Sequence, residues 1–218
     1  MTELVSEKPT LLKAIELVLA NPKDIQQGSK ALLEKFQAAH SSKTDEQVRD
    51  LVAKKIISNY SYYSAFAGGA TSLTGVMPGL GTLIAVFGGA ATDAALTMKY
   101  QIEMTMALAT VFGHNILLEE QKRICMIVAG LGAIGETVKG GGRALGSKAF
   151  VKMARQYIQG STLLAVKEIF KKVGITFTRK AAEKAIPFGV GVVIGFSANK
   201  GLAWYVGRKA RDFFATGA

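Results

Sequence analysis

Two stretches of this sequence have the residue types and spacing of phosphate-binding chemistry. Gly130-Leu131-Gly132-Ala133-Ile134-Gly135 follows the apolar run Ile124-Cys125-Met126-Ile127-Val128-Ala129. It satisfies Gly-x-Gly-x-x-Gly, the pattern by which a strand-to-helix turn lays backbone amides against a dinucleotide pyrophosphate. The fingerprint also needs an acidic residue about 20 positions on to hold a ribose hydroxyl. No acid occurs between Glu136 and Glu168, only Arg155 stands there to meet a 2′-phosphate, and no second βα unit follows. Close helix packing is therefore the better reading of these glycines. Gly141 to Lys148 imitates a P-loop, but its Gly146-Ser147-Lys148 ending inverts the Lys-Ser order in which lysine meets phosphate and hydroxyl meets magnesium.

Metal and nucleophile chemistry find less support. His40, His114 and the single Cys125 offer no clustered ligand set, so no metal and no cofactor is expected. Cys125 sits in an apolar run and reads as a small buried hydrophobe, while His114 beside Gly113 suits a helix C-terminus. Asp93 closes a long uncharged stretch, where a carboxylate is either interfacial or paired inside. Lys99 and Glu103, close by on the same helix, favour pairing. No catalytic residue emerges, and the chain reads as non-enzymatic.

The elements that would position these residues are helical almost throughout. Thr10 to Ala20 places Leu11, Leu12, Ile15, Val18 and Leu19 at helical spacing and stops at Asn21-Pro22. Ser29 to Ala39 repeats the pattern, and Thr44-Asp45-Glu46-Gln47 is a capping box opening the next helix. Asp93 to Gly113 predicts one helix with Leu96, Tyr100, Met104, Ala107, Leu108 and Val111 as its stripe, and Glu119-Glu120 opens another. Gly140-Gly141-Gly142 marks a joint, and helical segments rich in lysine run on from Ser161. The expected class is all-α, a multi-helix bundle. Residues 1–55 form an N-terminal cover or docking unit of amphipathic helices, and residues 56–218 form the main helical domain.

At the centre of that domain, Ile56 to Thr92 runs 37 residues without a charge and is interrupted by Met77-Pro78-Gly79-Leu80-Gly81. This predicts an apolar, glycine-rich helical hairpin. Spanning a bilayer takes about 20 predominantly apolar residues. The arm Tyr60 to Val76 holds five serines or threonines, and the arm Leu80 to Thr92 has only 13 residues. Tyr60, Tyr62 and Tyr63 match interfacial anchoring instead. The hairpin is thus expected to pack in the bundle and to meet a membrane surface.

The net charge of +11 is unevenly placed, because residues 139–218 hold 15 basic and 3 acidic side chains. Arg143, Lys148, Lys152 and Arg155 open this block. Lys171, Lys172, Arg179, Lys180, Lys184, Arg208, Lys209 and Arg211 are the candidate contacts to lipid headgroups. They alternate with aliphatic rather than aromatic residues and form no recognisable module, which disfavours nucleic acid. The first residues lack a basic n-region and an apolar h-region, so no signal peptide is expected. With one cysteine, the expected location is the cytoplasm, peripheral to or partly inserted in the cytoplasmic membrane.

A second Pro-Gly element, Ile186-Pro187-Phe188-Gly189, precedes another apolar piece in which Gly191, Gly195 and Asn199 share one helix face. That segment, with Val206-Gly207 and Arg208-Lys209-Ala210-Arg211, resembles the C-terminal signature of the EcsC family. Gln101, Met104, Leu108 and Phe112-Gly113, downstream of Pro78-Gly79-Leu80-Gly81, are similar to the pattern shared with the related membrane-associated DUF697 group. The resemblance covers roughly residues 60 to 215. It implies an all-helical protein associated with membranes or membrane machinery, with Pro78, Gly79, Gly81, Gln101, Gly113, Pro187, Gly191, Gly195, Asn199 and Gly207 as packing and motif positions. It implies no reaction. The expected function is membrane-associated accessory or scaffolding work, with membrane lipids or a membrane protein complex as partner. The alternatives are a pore-forming or inserting bundle and a soluble bundle holding a small molecule in its glycine-rich core.

Overall fold

Asn21 ends one helix and starts the next. Its side-chain oxygen accepts from the Lys23 amide at 3.0 Å, and Pro22 at the first helical position has no N–H to leave unmet. The computed structural model describes residues 10–67, 80–137, 146–183 and 190–217. Around Asn21 it places α1 (Thr10–Val18) and α2 (Pro22–Ala39). The capping box then opens α3 (Asp45–Ala67): Thr44 Oγ1 accepts from the Gln47 amide and Gln47 Oε1 from the Thr44 amide. After α4 (Leu80–Phe87) come α5 (Gly89–Val111) and α6 (Glu119–Thr137), followed by α7 (Ser147–Ile158), α8 (Thr162–Glu183) and α9 (Val190–Ala215). The protein is an all-α multi-helix bundle.

Helix α5 is the axis around which the others assemble, touching α1, α2, α3, α4, α6, α8 and α9. Its sequence explains this position. Leu96, Met98, Ile102, Met104, Met106, Leu108 and Ala109 point in every direction around the helix, and all are buried. The expected stripe is buried, Tyr100 only in part, but burial continues round the helix to Met98, Ile102 and Met106, which marks a core helix and not a surface one. Complete burial of a side chain such as Met104 or Leu108 contributes about 2 kcal/mol each. The helix stops at a Schellman motif. Gly113 takes φ 92°, its amide bonds the Thr110 carbonyl, and the His114 amide bonds that of Ala109.

Close glycine contacts fix how α6 and α9 sit. A Cβ on Gly132 would lie 3.1 Å from Val206 of α9, and one on Gly130 would strike Ile169 of α8. Both glycines lie mid-helix in α6, far from any strand-to-helix turn. The dinucleotide fingerprint is thus a packing seam. A Cβ on Gly207 of α9 would lie 2.8 Å from Ile57 of α3 and 3.0 Å from Met104 Sδ. These three glycines hold α3, α5, α6, α8 and α9 in one core.

The structure departs from the sequence reading at several elements. The uncharged run is divided among α3, α4 and α5, because Gly88 at φ 78° breaks the second arm between Phe87 and Gly89. Pro78, Gly79 and Pro187 lie outside the described residues, and with them both Pro-Gly turns. Helix α3 crosses residue 55 without a break, and a single apolar cluster takes in side chains from both sides of that position. Helix α7, absent from the sequence reading, buries Phe150 and Ala154 under an otherwise polar surface.

Candidate functional site

Contacts along α3, α5 and α9 set their register. Gly207 meets Ile57 and Met104, the Lys200 ammonium lies 4.0 Å over the Tyr62 ring, and Asn199 Nδ2 donates to Thr97 Oγ1 at 3.4 Å. Rising residue numbers in α3 thus match falling ones in α9 and α5, so α3 runs antiparallel to both. At 1.5 Å per residue, Ser64, Thr97 and Asn199 share one level about 10 Å above Gly207.

The outer face of the α3–α9 pair is apolar and basic at once. Tyr62 and Phe66, one turn apart on α3, are 47% and 62% exposed, and Trp204 of α9 is 40% exposed. Lys200 sits between them over the Tyr62 ring. Helical spacing continues the same face to Lys55 on α3 and Arg208 on α9, both exposed. Val86, 66% exposed on α4, stands just before α5 begins and so at the same end of the bundle as Phe66. Tyr62 and Trp204, rings with polar tips, and the apolar Phe66 beside ammonium and guanidinium groups suit a boundary between apolar and aqueous phases.

Inside the pair the level of Asn199 is polar. Asp93, Thr97 and Gln101 follow one another at four-residue steps along α5, and Thr97 is bridged to Asn199. Gln101 has no exposed surface, and neither its Oε1 nor its Nε2 finds a hydrogen-bond partner among the described residues. Ser64 Oγ, also fully buried, is likewise unmet. The expected ion pair of Asp93 is not found among the described residues: Lys99, six positions on, lies on another face of α5 and binds Glu103 at 2.6 Å. Asp93 Oδ1 has no partner either, and burial pushes its carboxyl up to about 6.

Glu103 performs a second task. The same Oε1 that takes the Lys99 ammonium accepts the Ala20 amide at 2.8 Å, joining the α1–α2 turn to the central helix. The nearby phenols of Tyr60 and Tyr100 are held above their usual range, first by burial and then by the Glu103 charge.

The headgroup candidates separate by environment. Lys171 and Arg208 are exposed; Lys172 is exposed but donates to Glu168 at 2.7 Å, which raises its ammonium pKa. Arg211 is half-buried, 2.8 Å from Asp212 and 4.0 Å from Asp50. Lys209 is a correction: only 8% exposed, it donates to Ser147 Oγ at 3.3 Å and pins α7 to α9. The side chains of Arg179, Lys180 and Lys184 lie outside the described residues. Among the motif positions, Gly81 is exposed on α4, Gln101 and Gly207 are buried, Gly113 ends α5, and Asn199 is half-buried, its side chain bonded to that of Thr97. Gly191 and Gly195 fall within α9, but their packing lies outside the described residues. Tyr62 is among the tyrosines already matched to interfacial anchoring, whereas Phe66, Trp204 and Lys200 were not singled out; the four-residue spacing of Tyr62 and Phe66, and of Lys200 and Trp204, was the available signal.

Cys125 is fully buried, and burial pushes its thiol up, away from the reactive thiolate. His114 stacks edge-on against Phe214 with its ring nitrogen at Gln121. No group of three metal-ligating side chains occurs among the described residues, and no helix among them is long and apolar enough to cross a membrane. No family model, curated protein or solved structure matches the chain.

Proposed function

We propose that this protein is a non-catalytic, peripheral membrane-binding bundle that lays the outer face of α3 and α9 on an anionic lipid surface. One observation carries the reading: Tyr62, Phe66 and Trp204 are exposed together, with Lys200 among them and Lys55 and Arg208 continuing the face. The rings would enter the headgroup boundary while the cations meet lipid phosphates. The resemblance to EcsC proteins agrees with this, as does the basic excess of the C-terminal third. Scaffolding of membrane machinery follows as the role of such a module.

Sedimentation with vesicles tests it. The chain should pellet with vesicles containing phosphatidylglycerol, pellet less as salt is raised, and remain in solution with pure phosphatidylcholine. Replacing Phe66 and Trp204 together by Ala should remove most of the binding while leaving the helical circular dichroism intact. Failure to pellet at low salt, or full binding by the double variant, would refute the reading. Dye retained in the vesicles after binding separates surface docking from insertion.

A further inference from the structure

Helix α7 and the last turns of α9 enclose an open groove of about 570 Å³. That volume lies within the range of small-molecule sites and is far larger than a single phosphate or sulfate requires. Three cations line it from α7: Lys148, Lys152 and Arg155. They stand four and three residues apart, so their stems share one helix face over about 10 Å. None of the three makes an ion pair among the described residues. Uncompensated charge along one groove wall attracts anions.

The opposite wall does not cancel this charge. Its acid, Asp212, accepts from Ser147 Oγ and is held by the Arg211 guanidinium at 2.8 Å. The buried Lys209 reaches the same Ser147 and adds a further positive charge behind the wall. Gly146, which precedes α7, caps the helix with no side chain, so the first amides of α7 add partial positive charge at the Lys148 end. Gln156 and Gln159 supply amide donors and acceptors, and Val151 supplies an apolar contact. Lys148, which ends the P-loop imitation, thus faces the groove from the first turn of a helix instead of from a phosphate-wrapping loop.

We propose that this groove binds a small organic molecule carrying two or more phosphate groups. Three cations spread over about 10 Å fit a chain of phosphoryl groups better than one tetrahedral anion. The remaining volume, with its amide and apolar contacts, accommodates the organic part. That part belongs either to a soluble metabolite or to a phosphorylated lipid headgroup, because the phosphates are recognised by the same side chains in both.

Calorimetric titration of the full chain with inorganic tripolyphosphate and with orthophosphate provides the test. Tripolyphosphate should bind at least about tenfold more tightly than orthophosphate. The Lys152→Glu/Arg155→Glu variant should weaken it by about tenfold or more, whereas Lys171→Glu/Lys172→Glu, an equal charge change on exposed α8, should leave it within about twofold. Equal losses in the two variants would reduce the binding to general charge attraction and overturn the site, as would equal affinity for the two anions. Helical circular dichroism and the unfolding midpoint of each variant show that a loss is not unfolding. Vesicle pelleting then separates the sources: a parallel loss in the groove variant assigns the phosphates to a headgroup, and unchanged pelleting assigns them to a soluble ligand, each upholding the site. Because tripolyphosphate binding needs no lipid, it stands or falls independently of the Phe66 and Trp204 experiment.

Discussion

Two levels of the α3–α5–α9 core, about 10 Å apart, are built on opposite terms. Around Gly207 the contact is dry and tight: Ile57 and Met104 fill the space where a side chain would be. Toward Asn199 the contact turns polar, and among the described residues it leaves Ser64 at that level and Gln101, one turn nearer Gly207, with unmet atoms beside a single long bond to Thr97. The lower level fixes the helices by shape. The polar stretch, at the same end as Tyr62 and Phe66, has given up stability, since each buried unmet polar group costs about 1–3 kcal/mol. Weakly held packing next to a docking face is where a bundle has most freedom to adjust on contact with another phase.

The sharpest way to break the contrast is to fill the lower level. Gly207→Val should destabilise the protein by about 3 kcal/mol, because Ile57 is β-branched and cannot swing aside. Urea unfolding would show it, and a loss below about 0.5 kcal/mol would mean that the level is not closely packed. The polar stretch above it should respond in the other direction. Gln101→Met removes an amide that has no partner among the described residues while keeping its length, so a gain of about 1–2 kcal/mol is expected in the same measurement. A loss would show that the amide is bonded in solution, through a buried water for example.

The smallest effect concerns Asp93 and depends on pH. Its carboxyl is raised to about 6 from an ordinary 3.8, so the folded state holds the proton more tightly than the unfolded one. Its contribution is therefore fully present below the ordinary value and is lost as pH rises through about 6. Asp93→Asn should stabilise the protein by about 1 kcal/mol near neutrality, allowing for solvent screening of a half-buried group, and by almost nothing below about pH 4. A difference that does not change with pH would remove the burial argument.

Much of this architecture was legible in local chemistry. The Thr44–Gln47 capping box, the Asn21-Pro22 junction and Gly113 announce themselves because each acts within a few residues of its own position. The glycines of α6 could be read as packing because a nucleotide site needs acids that the sequence lacks. Partner choice was less accessible. Lys99 is near both Asp93 and Glu103 in sequence, but only Glu103, four residues on, shares its helix face, while Asp93, six residues back, does not. Charge counting placed Lys209 on the surface, whereas contact with Ser147 buries it. Helix α7 escaped notice because the glycine triplet before it and three cations along it mask the short pattern of Phe150 and Ala154. The groove escaped with it, since its other wall lies more than fifty residues away at Asp212.

One oxygen decides how this chain can be cut. Glu103 Oε1 holds both the Lys99 ammonium and the Ala20 amide, so the α1–α2 turn is wired into the central helix and not laid over it. A fragment starting at the capping box would keep every residue of the outer α3–α9 face and of the groove yet strip one of the two donors from a carboxylate that is 5% exposed. Water would then reach α5 along the seat of α1 and α2. Any smaller version of this protein therefore has to carry its first two helices or replace Glu103 together with Lys99.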